Sequence, residues 1–488
     1  RGILYMKREH WGSQLAFVLA AAGSAVGLGN IWKFPYLAGK NGGGAFLLLY
    51  VLCLIIVGLP LMLVEILIGR TAQKNVVSSF REIKPKSPWF LVGFIGLLAG
   101  FLILSFYSVV AGWSLEFLYQ TAAGTYWFDD TISEQVRNDK VAAIFGNFIS
   151  DYHRPLMWHC VFMTLCIVVV ACGVKNGIEF WSKILMPMLF GLVLILIARV
   201  YFLEGSGGGY SFLFSVNWKA IWNPKVVLDA MGQAFFSLSL GMGAMITYGS
   251  YLDPERSLPR SAVFVVIADT AVALLAGLAI FPAVFAFNLE PSAGPGLVFS
   301  TLPIVFTKMA GGRIFGTLFF ASLLIAALTS AISLLEVVVA YFNEEYKMGR
   351  VKTTVVLAII IGLFGIPSAL SFVAPSAACP LGMSQMKIPF PGGAKTFFDL
   401  VDHMASNLCL PLGGLLMCIF VGWSWGKDKV MKSASQGAEW FATHPLGTIW
   451  FNLVRFVAPL IVTLVFIYSF KIISFTNEGT LVFFKGWF

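Results

Sequence analysis

About eleven apolar runs of roughly membrane-spanning length restrict this 488-residue chain to one class of architecture. Lipid satisfies no backbone hydrogen bond, so a crossing segment must be a helix of about 20 mostly apolar residues. The runs are Leu15–Tyr36, Gly44–Gly69, Trp89–Tyr119, Met157–Cys172, Ile184–Leu203, Val227–Tyr251, Val263–Phe287, Phe315–Tyr341, Thr354–Phe372, Leu400–Trp425 and Thr448–Phe470. The third and eighth are long and are predicted to tilt. The expected fold is therefore an all-α polytopic membrane protein with about 11 transmembrane helices, in one domain over residues 1–488. Composition agrees, because 12% of residues are charged against roughly 25% in soluble domains.

Charge gives the expected orientation. Lys7 and Arg8 precede the first run, and Arg70, Lys74, Arg81, Lys84 and Lys86 follow the second. Lys347, Arg350 and Lys352 follow the eighth, and Lys427, Lys429 and Lys432 the tenth, while the loop with Asp129, Asp130, Glu134 and Asp139 is acidic. Basic loops stay cytoplasmic, so a multi-pass protein of the cell inner (plasma) membrane is expected, N-terminus cytoplasmic and C-terminus outside. The same rule accounts for the net charge of +9 without nucleic acid. Of the seven cysteines only Cys379 lies away from the apolar segments, and neither CxxC nor HExxH occurs, which argues against a disulfide framework or zinc protease. The start has no signal-peptide shape, and Met6 is a candidate initiator.

Two of the runs are interrupted. The first contains AGSAVGLGNIWKFP, Ala22–Pro35, with Gly23, Gly27 and Gly29 beside Ser24 and Asn30. Each interior glycine costs about 1 kcal/mol relative to alanine, so the stretch prefers to unwind. Backbone freed inside a bilayer persists only against a protein-lined cavity or ligand; the other reading is a small-residue packing face for a neighbouring helix. The sixth run favours the first reading. It holds GQAFFSLSLGMGAMITYGSY, with Gly241 and Gly243 near Ser237, Ser239 and Thr247. Breaks five helices apart, in halves of opposite orientation, are the inverted-repeat pattern of a secondary transporter with its site between the broken helices. The expected repeats are residues 12–204 and 227–426, with an additional helix at 448–470.

Several motifs in order, KREHWGSQLAFVLAAAGSAVGLGNIWKFPY, NGGGAF at Asn41–Phe46, FFSLSLGMG at Phe235–Gly243 and AALTSAIS at Ala326–Ser333, resemble the bacterial neurotransmitter:sodium symporters. That family includes the leucine transporter and the multi-hydrophobic amino acid transporter. The resemblance spans nearly the whole chain and implies two sodium ions. The first matches the carbonyls of Ala25 and Ser237, the side chains of Asn30, Ser237 and Asp269, and the carboxylate of the substrate. The family often has Asn at position 269; with Asp there the protein supplies the counter-charge, which implies chloride independence. The alternative is a structural acid bonded to nearby hydroxyls. The second matches the carbonyls of Gly23, Val26 and Ala326 with the hydroxyls of Thr329 and Ser330, neutral oxygens that suit a hard cation, although such a pair also bonds back to its own helix.

The resemblance further implies a small L-amino acid substrate held by Ser24, Ala25, Leu28, Gly29, Ile103, Tyr107, Phe236, Ser239, Met242, Ser330 and Leu334. Gly27 stands where monoamine-transporting relatives carry Asp, which favours an α-amino acid. Met242 stands where the leucine transporter has Phe, and a flexible thioether implies several hydrophobic substrates, aromatic ones among them. The implied outer gate pairs Lys33, usually Arg in the family, with Asp402 above Phe236 and Tyr107, although Lys33 as an interfacial anchor is an alternative. The implied inner gate uses Arg8, Glu344 and Trp11. Gly177 and Pro187, with nine residues between them, match a helix-unwinding motif, and Glu65 matches an acid bonded to the sixth helix's break. Pro375–Gly393 is long enough to cap an outer vestibule. A sodium-coupled symporter working by alternating access is expected, not an enzyme; an amino acid sensor on the same scaffold is the alternative, and monomer and homodimer stay open.

Overall fold

The apolar runs fold as helices, and what distinguishes them is where they break. The computed structural model describes residues 9–128, 133–289, 296–373, 387–390, 394–469, 473–475 and 481–483. Arg8, Cys379 and most of the Pro375–Gly393 loop lie outside the described residues. The helices used below are α1 Gln14–Ala25, α2 Gly29–Lys40, α3 Gly44–Ala72, α4 Phe90–Ala123, α5 His153–Ala171, α6 Val174–Tyr201, α7 Pro224–Ser237, α8 Ala244–Gly249, α9 Leu258–Ala286, α10 Leu297–Lys308, α11 Gly312–Tyr346, α12 Arg350–Leu370, α13 Phe397–Ser424 and α14 Pro445–Tyr468.

Among the described residues nine helices are long and apolar enough to cross a membrane, and the bent pair α1–α2 makes a tenth. The sixth predicted run falls outside that count because it is two pieces, α7 of 14 residues and α8 of 6. A single short ribbon, Ile473–Phe475 with Leu481–Phe483, is the only described sheet. The long third and eighth runs are the helices α4 and α11, of 34 and 35 residues.

α6 begins ten residues before the predicted start at Ile184. Its charged first turns remain helical because Lys183 pairs with Glu179 one turn away, at 2.5 Å. Gly177 and Pro187 both lie within wound helix here, Gly177 in the wide turns of Val174–Glu179 and Pro187 inside the α-helical part.

Burial orders the bundle. The most apolar part of α11 is 89% buried, whereas the corresponding parts of α6 and α14 are 33% buried. α11 therefore runs through the centre, packed along α4, while α6 and α14 present their faces to lipid. α1 lies against α9, α11 and α6; α7 and α8 both lie against α3. These contacts bring the two interrupted segments together at α11.

Candidate functional site

In the first break, helix ends at Ala25, and Val26 is extended at φ −68°, ψ 109°. α2 starts at Gly29 and leaves at 51° to α1. The gap is narrower than the glycine content predicts, since Gly23 and Ser24 remain helical. The alanine-rich stretch before them favours helix enough to carry one glycine.

The second break is sharper. Between α7 and α8, Ser239, Gly241 and Gly243 take φ of 53°, 85° and 75°, the left-handed region that only glycine enters freely. A Cβ on Gly241 would stand 2.2 Å from the Leu410 carbonyl oxygen. The freed Gly241 N–H donates to Oε1 of Glu65, 2.6 Å away and fully buried, as the resemblance implies.

Side chains stitch the two breaks to each other. Ser239 Oγ donates to the Ser24 carbonyl at 2.9 Å, and Gln233 Nε2 donates to the Gly29 carbonyl at 2.8 Å. Gly29 is bare because a Cβ would lie 2.9 Å from the Phe236 ring.

Asn30, Ser237 and Asp269 come together where the breaks meet. Asn30 Nδ2 donates to Asp269 Oδ1 at 2.7 Å and to Ser237 Oγ at 3.1 Å, and Ser237 Oγ donates to Asp269 Oδ2 at 2.7 Å. Tyr50 Oη adds a bond to Asp269 Oδ2 at 3.3 Å and one shared with Ser237 at 2.9 Å. Ala25 and Ser237 are the last residues of α1 and α7, so their carbonyls lie at helix C-termini, the negative ends. Asp269 is fully buried and its hydrogen-bonding side chains are all neutral. An uncompensated carboxylate at that depth is costly, so the donor set fits a bound cation.

The second predicted set comes together in part. Ser330 Oγ faces the carbonyls of Val26, Ser24 and Gly23 at 3.0, 3.1 and 3.4 Å. Thr329 Oγ1 bonds back to the carbonyls of Ala326 and Ile325, both at 3.1 Å. A Cβ on Gly23 would lie 3.2 Å from the Thr329 Cβ, so α1 and α11 touch there. Ser330 Oγ thus joins α11 to the Gly23 and Val26 carbonyls, whereas Thr329 Oγ1 and the Ala326 carbonyl are bonded to each other within α11. Among the described residues no cluster of three His, Cys, Asp or Glu side chains occurs.

The predicted pocket residues lie around the same junction. Tyr107 Oη accepts the Leu28 N–H at 3.1 Å. A Cβ on Gly27 would be 2.5 Å from Ser330 Oγ and 2.9 Å from Tyr107 Oη, so this position has no room for the Asp of monoamine carriers. Along α4, Ile103 and Tyr107 are buried, and bare Gly96 and Gly100 face the Met242–Gly243 backbone and the Leu334 carbonyl. Ala25, Leu28, Ser239, Met242 and Leu334 are buried, and Phe236 is half-buried.

The gate residues divide. Lys33 Nζ lies over the Phe236 ring, 4.0 Å from its centroid, and among the described residues it forms no ion pair. Asp402 Oδ1 instead accepts Ser406 Oγ at 2.8 Å. A lysine is a point charge on a flexible stem, so it settles on an aromatic face where an arginine fork would hold a carboxylate. At the other end Trp11 Nε1 donates to the Tyr248 carbonyl at 2.9 Å and Trp11 N to the Tyr251 carbonyl at 3.1 Å. Glu344 Oε2 accepts Asn75 N at 2.8 Å.

Sequence reading missed Tyr50, Gln233, Ser333 and the pair Glu336–Arg350. Glu336 is fully buried, receives Tyr251 Oη at 2.7 Å, and pairs with Arg350 at 2.5 Å. The available signal was polarity: Tyr50, Gln233 and Glu336 are isolated polar groups in apolar runs, and such groups need partners when buried.

Comparison with known proteins agrees with this arrangement. The sequence pattern of the sodium:neurotransmitter symporter family matches residues 8–141 and 139–485. A sodium-dependent transporter of Bacillus subtilis, YhdH, is 40% identical over 96% of this chain and 99% of its own. The sodium- and chloride-dependent GABA transporter ine of Drosophila melanogaster is 25% identical over 92% of this chain and 50% of its own. The crystal structure of MhsT in complex with L-phenylalanine superposes with a TM-score of 0.84 at 45% identity, covering 95% of this chain and 100% of MhsT. The chain belongs to the sodium:neurotransmitter symporter family, a family of multi-pass, sodium-dependent membrane transporters.

Proposed function

We propose that this chain is a symporter of hydrophobic and aromatic L-amino acids, driven by two sodium ions, independent of chloride, and working by alternating access. One observation carries the reading: a fully buried carboxylate, Asp269, with neutral hydrogen-bonding partners, at the junction of two broken helices. A sodium ion among Asn30, Ser237, Asp269 and the carbonyls of Ala25 and Ser237 neutralises that charge, which removes the need for an anion. The N-terminus of α2, with its partial positive charge, and Tyr107 Oη receive the substrate carboxylate. A second ion takes the oxygens of Gly23, Val26, Ala326, Thr329 and Ser330.

Amino acids are favoured because Gly27 leaves no space for an amine-binding acid, and the relative MhsT was crystallised with L-phenylalanine. Met242 adapts to side chains of different shape. Phe236 with Lys33 closes the outer side over the substrate, with Asp402 as the charge above. Trp11, Arg8 and Glu344 close the inner side, with the N-terminus cytoplasmic and the C-terminus outside.

Magnitudes agree with this role. Each sodium crossing a tenfold gradient supplies about 1.4 kcal/mol, and about 2.3 kcal/mol more at 100 mV. Two ions supply about 7 kcal/mol, enough for roughly 10⁵-fold accumulation of a zwitterion, against several hundredfold for one. The test is uptake of each natural amino acid into proteoliposomes, with and without a sodium gradient, in chloride and in gluconate. Sodium-driven accumulation unchanged by gluconate is expected. Tight binding without accumulation would make the chain a sensor, and a chloride requirement would remove the proposed role of Asp269.

A further inference from the structure

On the amino acid reading above, we propose that Ser24 and Ser333 form a hydroxyl pair at the α1–α11 contact beside the first break that selects substrates whose side chain carries a hydrogen-bond donor. The matching groups are the phenol of tyrosine and the indole N–H of tryptophan.

The direction of the hydrogen bonds carries the argument. Ser24 Oγ donates to Ser333 Oγ at 2.7 Å, and Ser333 Oγ donates to the Ser330 carbonyl, also at 2.7 Å. A hydroxyl has one proton and two lone pairs. Both protons are therefore committed toward α11, and the chain ends at Ser24 with acceptor capacity only. Successive bonds of the same sense polarise one another, which strengthens that terminal acceptor. Both residues are buried, at 0% and 1% exposure, so water from bulk does not compete for it.

Position supports the role. Ser24 is two residues before the first break, and its own carbonyl receives the hydroxyls of Ser239 and Ser330. On α11, Ser333 lies between Ser330, which touches the first break, and Val337, whose Cγ1 stands 3.7 Å from where a Cβ on Gly243 would lie. Its neighbour Leu334 faces Gly100 of α4. The pair thus links α1 to α11 beside the first break, with buried apolar Ala25 and Leu334 as its chain neighbours. An apolar pocket separates tyrosine from phenylalanine weakly, whereas a pocket holding a buried acceptor favours the ligand that satisfies it. The competing explanation is a plain interhelical bond between α1 and α11. That alternative acts on every substrate alike.

Inhibition of sodium-driven uptake by matched ligands separates the two. The pairs are tyrosine against phenylalanine, and tryptophan against its benzothienyl analogue, which keeps the shape and lacks the N–H. In the unaltered protein the donor-bearing member of each pair is expected to bind about three- to ten-fold more tightly. Ser333→Ala and Ser24→Ala bring both ratios toward one, and Ser333→Thr, which keeps a hydroxyl, restores them. Ratios near one in the unaltered protein overturn the proposal without any variant, so misfolding of a variant leaves it testable. Equal loss for all four ligands in Ser333→Ala makes the pair structural and also overturns it. Absence of sodium-driven uptake for every amino acid would instead sink the symporter reading itself, and is recognised because no ligand then competes.

Discussion

The two broken helices expose the same kind of backbone groups and hold them in opposite ways. At the first break the holding groups are neutral: Ser330 Oγ facing three carbonyls, Tyr107 Oη taking the Leu28 N–H, and Asn30 Oδ1 taking the Gly27 N–H at 3.0 Å. At the second break three residues in five have positive φ, and a buried carboxylate, Glu65, fixes the Gly241 N–H. One serine proton shared among three carbonyls serves each poorly, and a cation with open coordination would serve them all. Left-handed backbone is a different restraint, because no ligand relieves it. On the proposed function, the first break is the part expected to respond to occupancy, and the second, fixed by its own backbone, is the frame.

The largest expected effect is on the frame. Gly241→Ala forces a side chain into left-handed backbone and places its Cβ 2.2 Å from the Leu410 carbonyl. Conformational strain of about 1–2 kcal/mol adds to overpacking of about 1–3 kcal/mol. The expected result is a sharp fall in thermal stability and in monodisperse yield from detergent. Gly27→Ala meets the ends of two side chains instead, Ser330 Oγ and Tyr107 Oη. It should keep its melting temperature within a few degrees and lose at least tenfold in uptake rate. Equal loss of stability in the two variants would break the distinction between frame and responsive element.

That distinction is only partly legible in the sequence. The glycines of both runs signal that helix stops, because their propensity cost acts locally. Which stop is strained depends on Leu410, 169 positions beyond Gly241 in the chain, and on Glu65 from α3. Asn30, Ser237 and Asp269 could be named from the resemblance, while Tyr50 was hidden because a phenol inside an apolar run looks like packing. Its role depends on a bond to Ser237 made across 187 positions. The Lys33–Asp402 gate was expected from the resemblance, and the aromatic face of Phe236, which takes the ammonium instead, carries no charge to read. Likewise the broken sixth run reads as one span by hydropathy, although neither piece is long enough to cross alone.

Next in size is the charge at the junction. Asp269→Asn preserves most of the hydrogen bonds to Asn30, Ser237 and Tyr50 and removes one unit of charge. Half-saturation for sodium should rise by about tenfold or more, equivalent to 1.4 kcal/mol, and uptake should acquire a chloride requirement. Fluorescence or scintillation binding across a sodium series, with gluconate replacing chloride, measures both. An unchanged sodium curve would mean that the buried carboxylate is held by its hydroxyls alone and that the first break carries no cation.

The smallest effect is at Met242, which lies in the rigid break yet contributes a flexible side chain. Its backbone neighbour Gly243 has φ 75°, and a Cβ on Gly96 would approach that backbone within 3.3 Å, so the main chain there is closely packed. Adaptation to large and small substrates then falls to the thioether, which has three rotatable bonds and a polarisable sulfur. Met242→Phe replaces that freedom with a planar ring of two torsions, leaving the break itself intact. The ratio of tryptophan to leucine inhibition constants should rise about fivefold, a shift of roughly 1 kcal/mol, with sodium dependence following the unaltered protein. A constant ratio would place the adaptable element elsewhere, in the responsive first break, and would make the frame irrelevant to substrate choice.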